Sequence, residues 1–290
     1  METKFIVYRD EEYTTSWISH EHADEITSYL KGKQFTVLGA KELRNWMGNV
    51  IIDGTKDTVV VFAQDVAPDT VFDDVGANAF IRQYLDFGGR VVWMGDLPFS
   101  YRGNRGAETP KKLDNIEIID DFGANLRGAI RNILSVIPVS VHAPRRTVEI
   151  TKNGKKWGLK TVWSGMKPIV FDVKIGEFVK PLAKIESLIG ISEIRYDRRG
   201  ARNWLKRFFS ERVAGIDIGK GGIGIDLIEK KEENKARLRY FGEYASAWFK
   251  NFNKKEQNSG FVRIWDFSPR VITGTMKEEL YRVAIYGLKK

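Results

Sequence analysis

The chain of 290 residues has no cysteine and only three histidines. The absence of cysteine excludes disulfides, thiolate metal sites and a thiol nucleophile. His20 and His22 stand two positions apart at the start of a predicted helix, so they point to different faces. His142 is isolated in the sequence. We therefore expect no bound metal and no cofactor.

The chain also lacks any apolar run that approaches the ~20 residues needed to cross a bilayer, because charges interrupt each one. Its first residues, METKFIVYRDEEY, carry acids where a secretory signal would have a basic stretch and then an apolar one. We therefore expect a cytoplasmic protein without membrane insertion. The net charge of +9, from 47 Lys and Arg against 38 Asp and Glu, favours anionic partners.

The first half of the sequence alternates short apolar β-type runs with helical patterns. The β-type runs are residues 5–8, 35–38, 58–63 and 90–94. Ser19 is predicted to cap the first helix, and Asp73 and Asp74 are predicted to cap a helix that ends at Phe87. Crossovers between parallel strands are right-handed, so this order favours a three-layer α/β domain with a doubly wound, mostly parallel sheet. Residues 58–63 and 90–94 should then run side by side in the same direction.

From residue 147 onward the pattern changes to short β-type runs separated by polar turns. Asn153 and Gly154 between two such runs predict a β-hairpin. The β-type run at 260–267 and the helical pattern at 276–288 predict that the chain returns to the first sheet. Four tryptophans accompany the polar segments, and we interpret them as core residues rather than sugar-stacking platforms: Trp157, Trp163, Trp248 and Trp265.

These patterns predict one α/β domain built from two parts of the chain. Residues 1–140 and 255–290 would form the domain, and residues 141–254 would form a β-rich insertion that carries a basic amphipathic helix at 200–213.

Polar and ionisable residues follow three of the four early β-type runs. They are Arg9 and Asp10 after the first run, Asp65 after the third, and Gly95 and Asp96 after the fourth. Ligands of doubly wound sheets bind outside the carboxyl ends of the strands, and glycine permits a tight turn there. The sequence therefore predicts a ligand site formed by these five residues. The alternative is that each aspartate only caps the following helix or loop.

The segment DTVVVFAQD, the stretch YLDFGGRVVWMGD and the final strand-helix pair resemble the class I glutamine amidotransferase-like superfamily. They are most similar to its trehalose-utilisation-type branch, which lacks amidotransferase activity. The resemblance covers residues 1–135 and about 255–290, and it implies a flavodoxin-like fold.

In the catalytic members of that superfamily, the strand that matches RVVWM leads into a turn with a cysteine nucleophile, and His and Glu complete the triad. Here the turn reads Met94-Gly95-Asp96-Leu97, and the closing segment IWDFSPRV contains no histidine. The resemblance therefore implies the fold without glutamine hydrolysis. It favours a ligand-binding or assembly protein, with a protein partner or a homo-oligomer as the expected assembly.

Two alternative functions stay open at this point. The first is a hydrolase of a small polar, sugar-like substrate, in which Asp96 is the catalytic nucleophile and a neighbouring carboxylate assists it. The second is binding of nucleic acid or another polyanion by the stretch from Arg195 to Arg212, which holds seven Lys and Arg against two acids. Within it, four apolar residues recur at helical spacing: Trp204, Leu205, Phe208 and Phe209. The basic residues that fall on the remaining surface are Arg199, Arg202, Lys206 and Arg207. A solvated helix face is the simpler interpretation of this stretch.

Overall fold

A computed structural model describes most of the chain. The described residues are 4–95, 97–112, 129–138, 146–167, 169–170, 179–195, 223–230, 235–256, 258–266 and 270–288. Within these ranges there are six helices: α1 (His20–Lys31), α2 (Ala40–Asp53), α3 (Phe80–Phe87), α4 (Ala129–Leu134), α5 (Lys152–Trp157) and α6 (Gly274–Ile285). None of the helices in these ranges is long and apolar enough to span a membrane.

The strands of the described ranges fall into one large sheet and two small ones. In chain order they are β1 (Phe5–Tyr8), β2 (Thr36–Leu38), β3 (Val59–Phe62), β4 (Ala67–Pro68), β5 (Arg90–Met94), β6 (Tyr101–Gly103), β7 (Lys111–Lys112), β8 (Ile137–Pro138), β9 (Arg146–Thr147), β10 (Glu149–Ile150), β11 (Ser164–Gly165), β12 (Ile169–Val170), β13 (Val179–Arg195), β14 (Ile223–Lys230), β15 (Lys235–Lys250) and β16 (Gly260–Ile264).

Five parallel strands form one side of the large sheet, in the order β2-β1-β3-β5-β16. Val59 of β3 pairs with Arg90 of β5, and Val61 pairs with Val92. The prediction that residues 58–63 and 90–94 run side by side in the same direction is therefore confirmed. The return of the C-terminal segment to the first sheet is confirmed as well, because β16 pairs in parallel with β5.

Helices cover both faces of these parallel strands. Along β3, Val59 and Val61 belong to a core that includes residues of α1 and α6. Val60 and Phe62 belong to a second core, which includes residues of α2, α3 and α4. A strand buried on both faces needs apolar residues at every position, which explains the unbroken run VVVF.

The second half of the chain extends the same sheet with antiparallel strands. β15 pairs with β16 on one side and with the whole length of β13 on the other, and β10 pairs with β13. The chain from 146 to 250 thus adds strands to the edge of the parallel sheet. The division into an α/β domain and an insertion stays a prediction.

The first helix cap is confirmed, and the third helix differs from its prediction. The Ser19 side chain accepts the His22 N–H at 3.2 Å. The helix that ends at Phe87 begins at Phe80. Asp73 therefore does not directly precede the helix in the sequence, as a residue at the N-cap would. The Asp73 carboxylate nevertheless accepts the Phe80 N–H at 2.8 Å, because the intervening loop brings it back to the start of α3.

The hairpin predicted at Asn153 and Gly154 is wrong, since both residues lie in α5. Thr151 caps this helix by accepting the Gly154 N–H at 3.1 Å. Gly154 is required for close packing, because a Cβ at this position would lie 2.0 Å from the carbonyl oxygen of Leu182. A glycine selected by packing is thus indistinguishable in sequence from one selected by a turn.

The four tryptophans are core residues, as predicted: Trp157, Trp163, Trp248 and Trp265 are all buried. The predicted helix at 200–213 lies outside the described residues.

Candidate functional site

The carboxyl ends of the parallel strands meet at one edge of the sheet, and most of the predicted ligand residues lie there. Arg9 and Asp10 follow β1, Asp65 follows β3 and Gly95 follows β5. Asp96 lies outside the described residues, as do the four predicted anion-binding residues Arg199, Arg202, Lys206 and Arg207. We call this region the carboxyl edge.

Asp65 is buried, with 2% of its surface exposed, and it holds the segment that leads into α1. One oxygen accepts the Ser16 N–H at 2.9 Å, and the other accepts the N–H groups of Trp17 at 2.5 Å and Ile18 at 3.2 Å. Three N–H donors on one carboxylate stabilise its charged form and compensate for its desolvation. Both oxygens are therefore engaged by backbone.

Asp10 performs the same task for α2. Its Oδ2 accepts the N–H of Ala40, the first residue of the helix, at 2.9 Å, and its Oδ1 accepts the Glu12 N–H at 3.0 Å. The backbone N–H of Asp10 donates to Gln64 Oε1 at 2.6 Å, and Gln64 Nε2 donates to the Tyr13 carbonyl at 2.8 Å. The residues after β1 and β3 are thus joined through the loop that starts at Asp10.

Arg9 is tied to its immediate surroundings. Its Nε lies 2.6 Å from the Asp24 carboxylate, and its Nη1 donates to the carbonyl of Asp10 at 2.9 Å. The guanidinium therefore links α1 to the loop after β1.

Gly95 makes the tight turn that the sequence predicts after β5. Its φ of +87° lies in the left-handed region, and its N–H donates to the Trp265 carbonyl at 3.0 Å. A Cβ here would approach Ile18 at 3.1 Å and the Cβ of Asp65 at 3.2 Å. Both the backbone conformation and the close contact explain why glycine occupies this position.

Two residues of the carboxyl edge were missed by the sequence analysis. Asp266, two residues beyond β16, accepts hydrogen bonds from Ser246 Oγ and Trp163 Nε1 on one oxygen, and from the N–H groups of Met166 and Lys167 on the other. The buried Arg263 of β16 donates to the carbonyls of Lys167 at 2.5 Å and Gly95 at 3.1 Å. The parallel position of β16 could have indicated both residues, but the predicted strand 260–267 included Asp266 within it.

The exposed part of this edge carries an aromatic ring beside a cation. Trp17 is half-buried, and Lys167 Nζ lies 3.8 Å from the centroid of its ring. Cations attract the face of an indole ring. The buried Arg263 donates to the carbonyls of both Lys167 and Gly95, so it holds Lys167 beside the turn after β5.

Two tyrosines lie beneath the loop after β1, in an environment that keeps them neutral. Burial raises the pKa of Tyr8, and the nearby Asp10 raises it further. Burial also raises the pKa of Tyr13, whose hydroxyl donates to Asp69 at 2.8 Å. Both hydroxyls therefore stay protonated at neutral pH.

Histidine and carboxylate side chains of the described ranges form no group of three or more that could hold a metal ion. The two histidines of α1 lie at its start, where His22 Nδ1 is 3.0 Å from Ser19 Oγ.

Comparison with known proteins gives a family relationship. Residues 3–216 match the model of the MJECL34 family. The uncharacterized protein MJECL34 of Methanocaldococcus jannaschii is 35% identical over 269 residues, which cover 92% of this chain and 68% of the relative. No solved structure matches the chain. Because the family model and this relative both cover most of its length, the chain belongs to the MJECL34 family.

Proposed function

We propose that the protein is a non-hydrolytic, ligand-binding member of the class I glutamine amidotransferase-like superfamily, with a flavodoxin-like fold. The strand order β2-β1-β3-β5-β16 supports the fold assignment, because flavodoxin-like sheets have the order 2-1-3-4-5. The lack of cysteine supports the absence of glutamine hydrolysis, since no thiol nucleophile exists.

The engagement of the carboxylates carries this proposal. Asp10, Asp65 and Asp266 together accept five hydrogen bonds from the backbone N–H groups of Glu12, Ala40, Ser16, Trp17 and Ile18 and two from those of Met166 and Lys167. A nucleophile or general base must present a free oxygen to the substrate. If the carboxylate of Asp10, Asp65 or Asp266 turned toward a substrate, the N–H groups that it accepts would lose their hydrogen bonds. The three residues therefore support a binding scaffold.

The surface of this scaffold favours a small ligand with an anionic group. The ammonium of Lys167 supplies a positive charge, and the ring of Trp17 supplies a flat apolar face. If the protein functions in assembly, the ligand of this surface is a protein segment with an acidic side chain.

A thermal-shift measurement tests binding at this edge. Sugar phosphates, nucleoside monophosphates and small carboxylic acids should include a compound that raises the melting temperature of the wild type. The double variant Trp17→Ala, Lys167→Ala should lose that shift, whereas Lys155→Ala, which removes an exposed lysine of α5, should keep it. The proposal fails if no compound stabilises the wild type or if the shift survives in the double variant.

The hydrolase alternative is supported by the left-handed turn at Gly95, which directly precedes Asp96 in the chain. Release of ammonia from glutamine, and of p-nitrophenol from esters and glycosides, should be undetectable for both the wild type and Asp96→Asn. Turnover by the wild type that disappears in Asp96→Asn would establish the hydrolase instead.

A further inference from the structure

The small sheet formed by β4, β6 and β7 carries two cations directly opposite each other. Arg102 of β6 pairs in register with Lys111 of β7, and the two strands are antiparallel. Directly paired residues lie on the same face of a sheet with their Cβ atoms about 5 Å apart, and like charges at such positions destabilise it. We call Arg102 and Lys111 the cation pair. It costs stability unless an anion lies between the two side chains.

The other face of β6 is filled by the protein itself. A Cβ at Gly103 would lie 3.0 Å from Cδ1 of Tyr13 and 3.3 Å from Cγ1 of Val66. Because side chains alternate along a strand, Arg102 lies on the opposite face, away from Tyr13. Arg102 is half-buried and Lys111 is exposed. The cation pair is therefore open to solvent, while its guanidinium is partly enclosed.

No anion of the described ranges neutralises the cation pair. Neither side chain has an ion pair or a hydrogen bond there, and the Nε of Arg102 is buried without an acceptor. The other buried and half-buried arginines whose side chains the structure describes all bond to a carboxylate or a backbone carbonyl: Arg9, Arg44, Arg82, Arg90 and Arg263. Since buried polar groups are almost always hydrogen-bonded, Arg102 is the exception that requires an explanation.

The segment that leads into β6 has two further unusual features. Phe99 has a φ of +61°, in the left-handed region that bulky residues rarely adopt, and its ring lies 5.2 Å from that of Phe72 and 5.3 Å from that of Trp93. Ser100 is buried, and its Oγ has no hydrogen-bond partner. Strained backbone and unpaired buried polar groups concentrate at binding and catalytic sites. Three such features within residues 99–102 indicate that this segment serves more than stability.

We propose that the cation pair binds the phosphate group of a small molecule. The guanidinium of Arg102 offers parallel N–H groups to two phosphate oxygens, and the ammonium of Lys111 adds a point charge. A phosphate monoester carries a charge of about −1.5 to −2 at pH 7, so it balances both cations, whereas a carboxylate balances one. Two cations match one such group, whereas a nucleic acid engages a row of cations along its backbone.

Isothermal titration calorimetry at constant ionic strength tests this with inorganic phosphate, ribose 5-phosphate and acetate. The wild type should bind phosphate at a single site and acetate at least about tenfold more weakly, because acetate carries less charge. Binding of ribose 5-phosphate identifies a phosphate ester as the ligand, and binding of inorganic phosphate alone identifies the free ion. Arg102→Gln and Lys111→Gln should each weaken phosphate binding at least about tenfold.

Arg105→Gln is the matched control for the lost charge. It removes a cation from the loop after β6, but this guanidinium already binds both carboxylate oxygens of Glu12. Phosphate affinity should therefore change less than about twofold, because the lost charge is exposed and screened. Equal losses in Arg105→Gln and Arg102→Gln would mean that phosphate responds only to the overall charge of the loop, and would overturn the proposal.

Melting temperatures separate binding from folding. Without phosphate, Arg102→Gln should melt at or above the wild-type temperature, since it relieves like-charge repulsion. A much lower melting temperature would make Arg102 a structural residue and would contradict the proposal. The proposal is also wrong if neither phosphate compound binds the wild type, if Arg102→Gln binds phosphate like the wild type, or if a 12-nucleotide DNA binds and the phosphate compounds do not.

The cation pair does not depend on the function proposed for the carboxyl edge, and the two sites can be measured separately. The variant Trp17→Ala, Lys167→Ala should retain phosphate binding. Phosphate compounds that stabilise the carboxyl edge should do so in the Arg102→Gln background too, so the thermal-shift comparison for them is made there. If phosphate binding is lost in the Trp17, Lys167 variant and kept in Arg102→Gln, the phosphate belongs to the carboxyl edge and this proposal fails.

Discussion

The two edges of the parallel sheet hold charged side chains of opposite sign. At the carboxyl edge, Asp10 and Asp65 accept N–H groups from α2 and from the segment that leads into α1. At the amino edge, Arg90 and Lys250 donate to backbone carbonyls. Since all four residues bond to backbone, the edges differ in the sign of the charge but not in its structural use.

Arg90, at the start of β5, is fully buried and has no carboxylate partner in the described ranges. Its Nη1 donates to the carbonyl of Ala284 near the end of α6 at 2.9 Å, and its Nε donates to the Asn258 carbonyl at 2.8 Å. Burial lowers the pKa of its guanidinium to about 9, so Arg90 remains protonated at pH 7.

Lys250, at the end of β15, has a similar role. Its Nζ donates to the carbonyl of Ser135, the residue after α4, at 3.0 Å. Burial and, to a smaller extent, the neighbouring Arg82 lower the pKa of this ammonium to about 8.

The direction of the helices explains the difference between the edges. A helix that connects two parallel strands begins near the carboxyl edge and ends near the amino edge. Its first N–H groups carry partial positive charge and its last carbonyls carry partial negative charge. Carboxylates therefore suit one edge and cations the other, and a buried ionisable residue at either edge is not by itself evidence of a catalytic site.

The largest effect should follow from removing the cation of the amino edge. Arg90→Met retains volume but leaves the carbonyls of Ala284 and Asn258 without their donor, so the free energy of unfolding should fall by about 4 kcal/mol. Arg282→Met, in which an exposed arginine of α6 loses its ion pair with Glu278, should cost about 0.5 kcal/mol. Urea unfolding measures both. Equal losses would mean that the buried arginine does not hold the end of α6.

A somewhat smaller effect is expected at the carboxyl edge. Asp65→Ala leaves the N–H groups of Ser16, Trp17 and the buried Ile18 without their acceptor and should lower the free energy of unfolding by about 3 kcal/mol. Asp10→Ala, at the more exposed start of α2, should cost about 1 kcal/mol, as for the loss of a helix cap. Guanidinium unfolding of the two variants ranks them. If Asp65→Ala retained wild-type stability, Asp65 would be available for a role other than holding the segment before α1.

The smallest effect concerns Lys250 and appears as a dependence on pH. The folded protein has a lower pKa at this residue than the ordinary value of 10.5, so between pH 8 and 10.5 the unfolded chain binds more protons. The free energy of unfolding of the wild type should therefore rise with pH in this window, by about 2 kcal/mol relative to Lys250→Met. Parallel denaturation curves at pH 7.5 and 10 measure the difference. A difference that is independent of pH would place Lys250 in contact with water.

Much of the parallel half of the fold was predictable because its signals are local. The runs at 58–63 and 90–94 indicated buried strands, the helical patterns between runs indicated crossovers, and Ser19 indicated the start of α1. The candidate site was predictable only as a location. Asp10, Asp65 and Gly95 do lie at the carboxyl edge, but the sequence left open whether the aspartates face a ligand or backbone.

The sequence by itself determined which segments become parallel strands, since an apolar run with no polar position can only be satisfied between two covered faces. Only the tertiary structure decided the partners of the charged groups. Asp10 meets Ala40, Asp65 meets Trp17, and Asp266 meets Met166, at separations of 30, 48 and 100 residues. Hydrogen bonds depend on distance in space, and the packing of distant segments sets that distance.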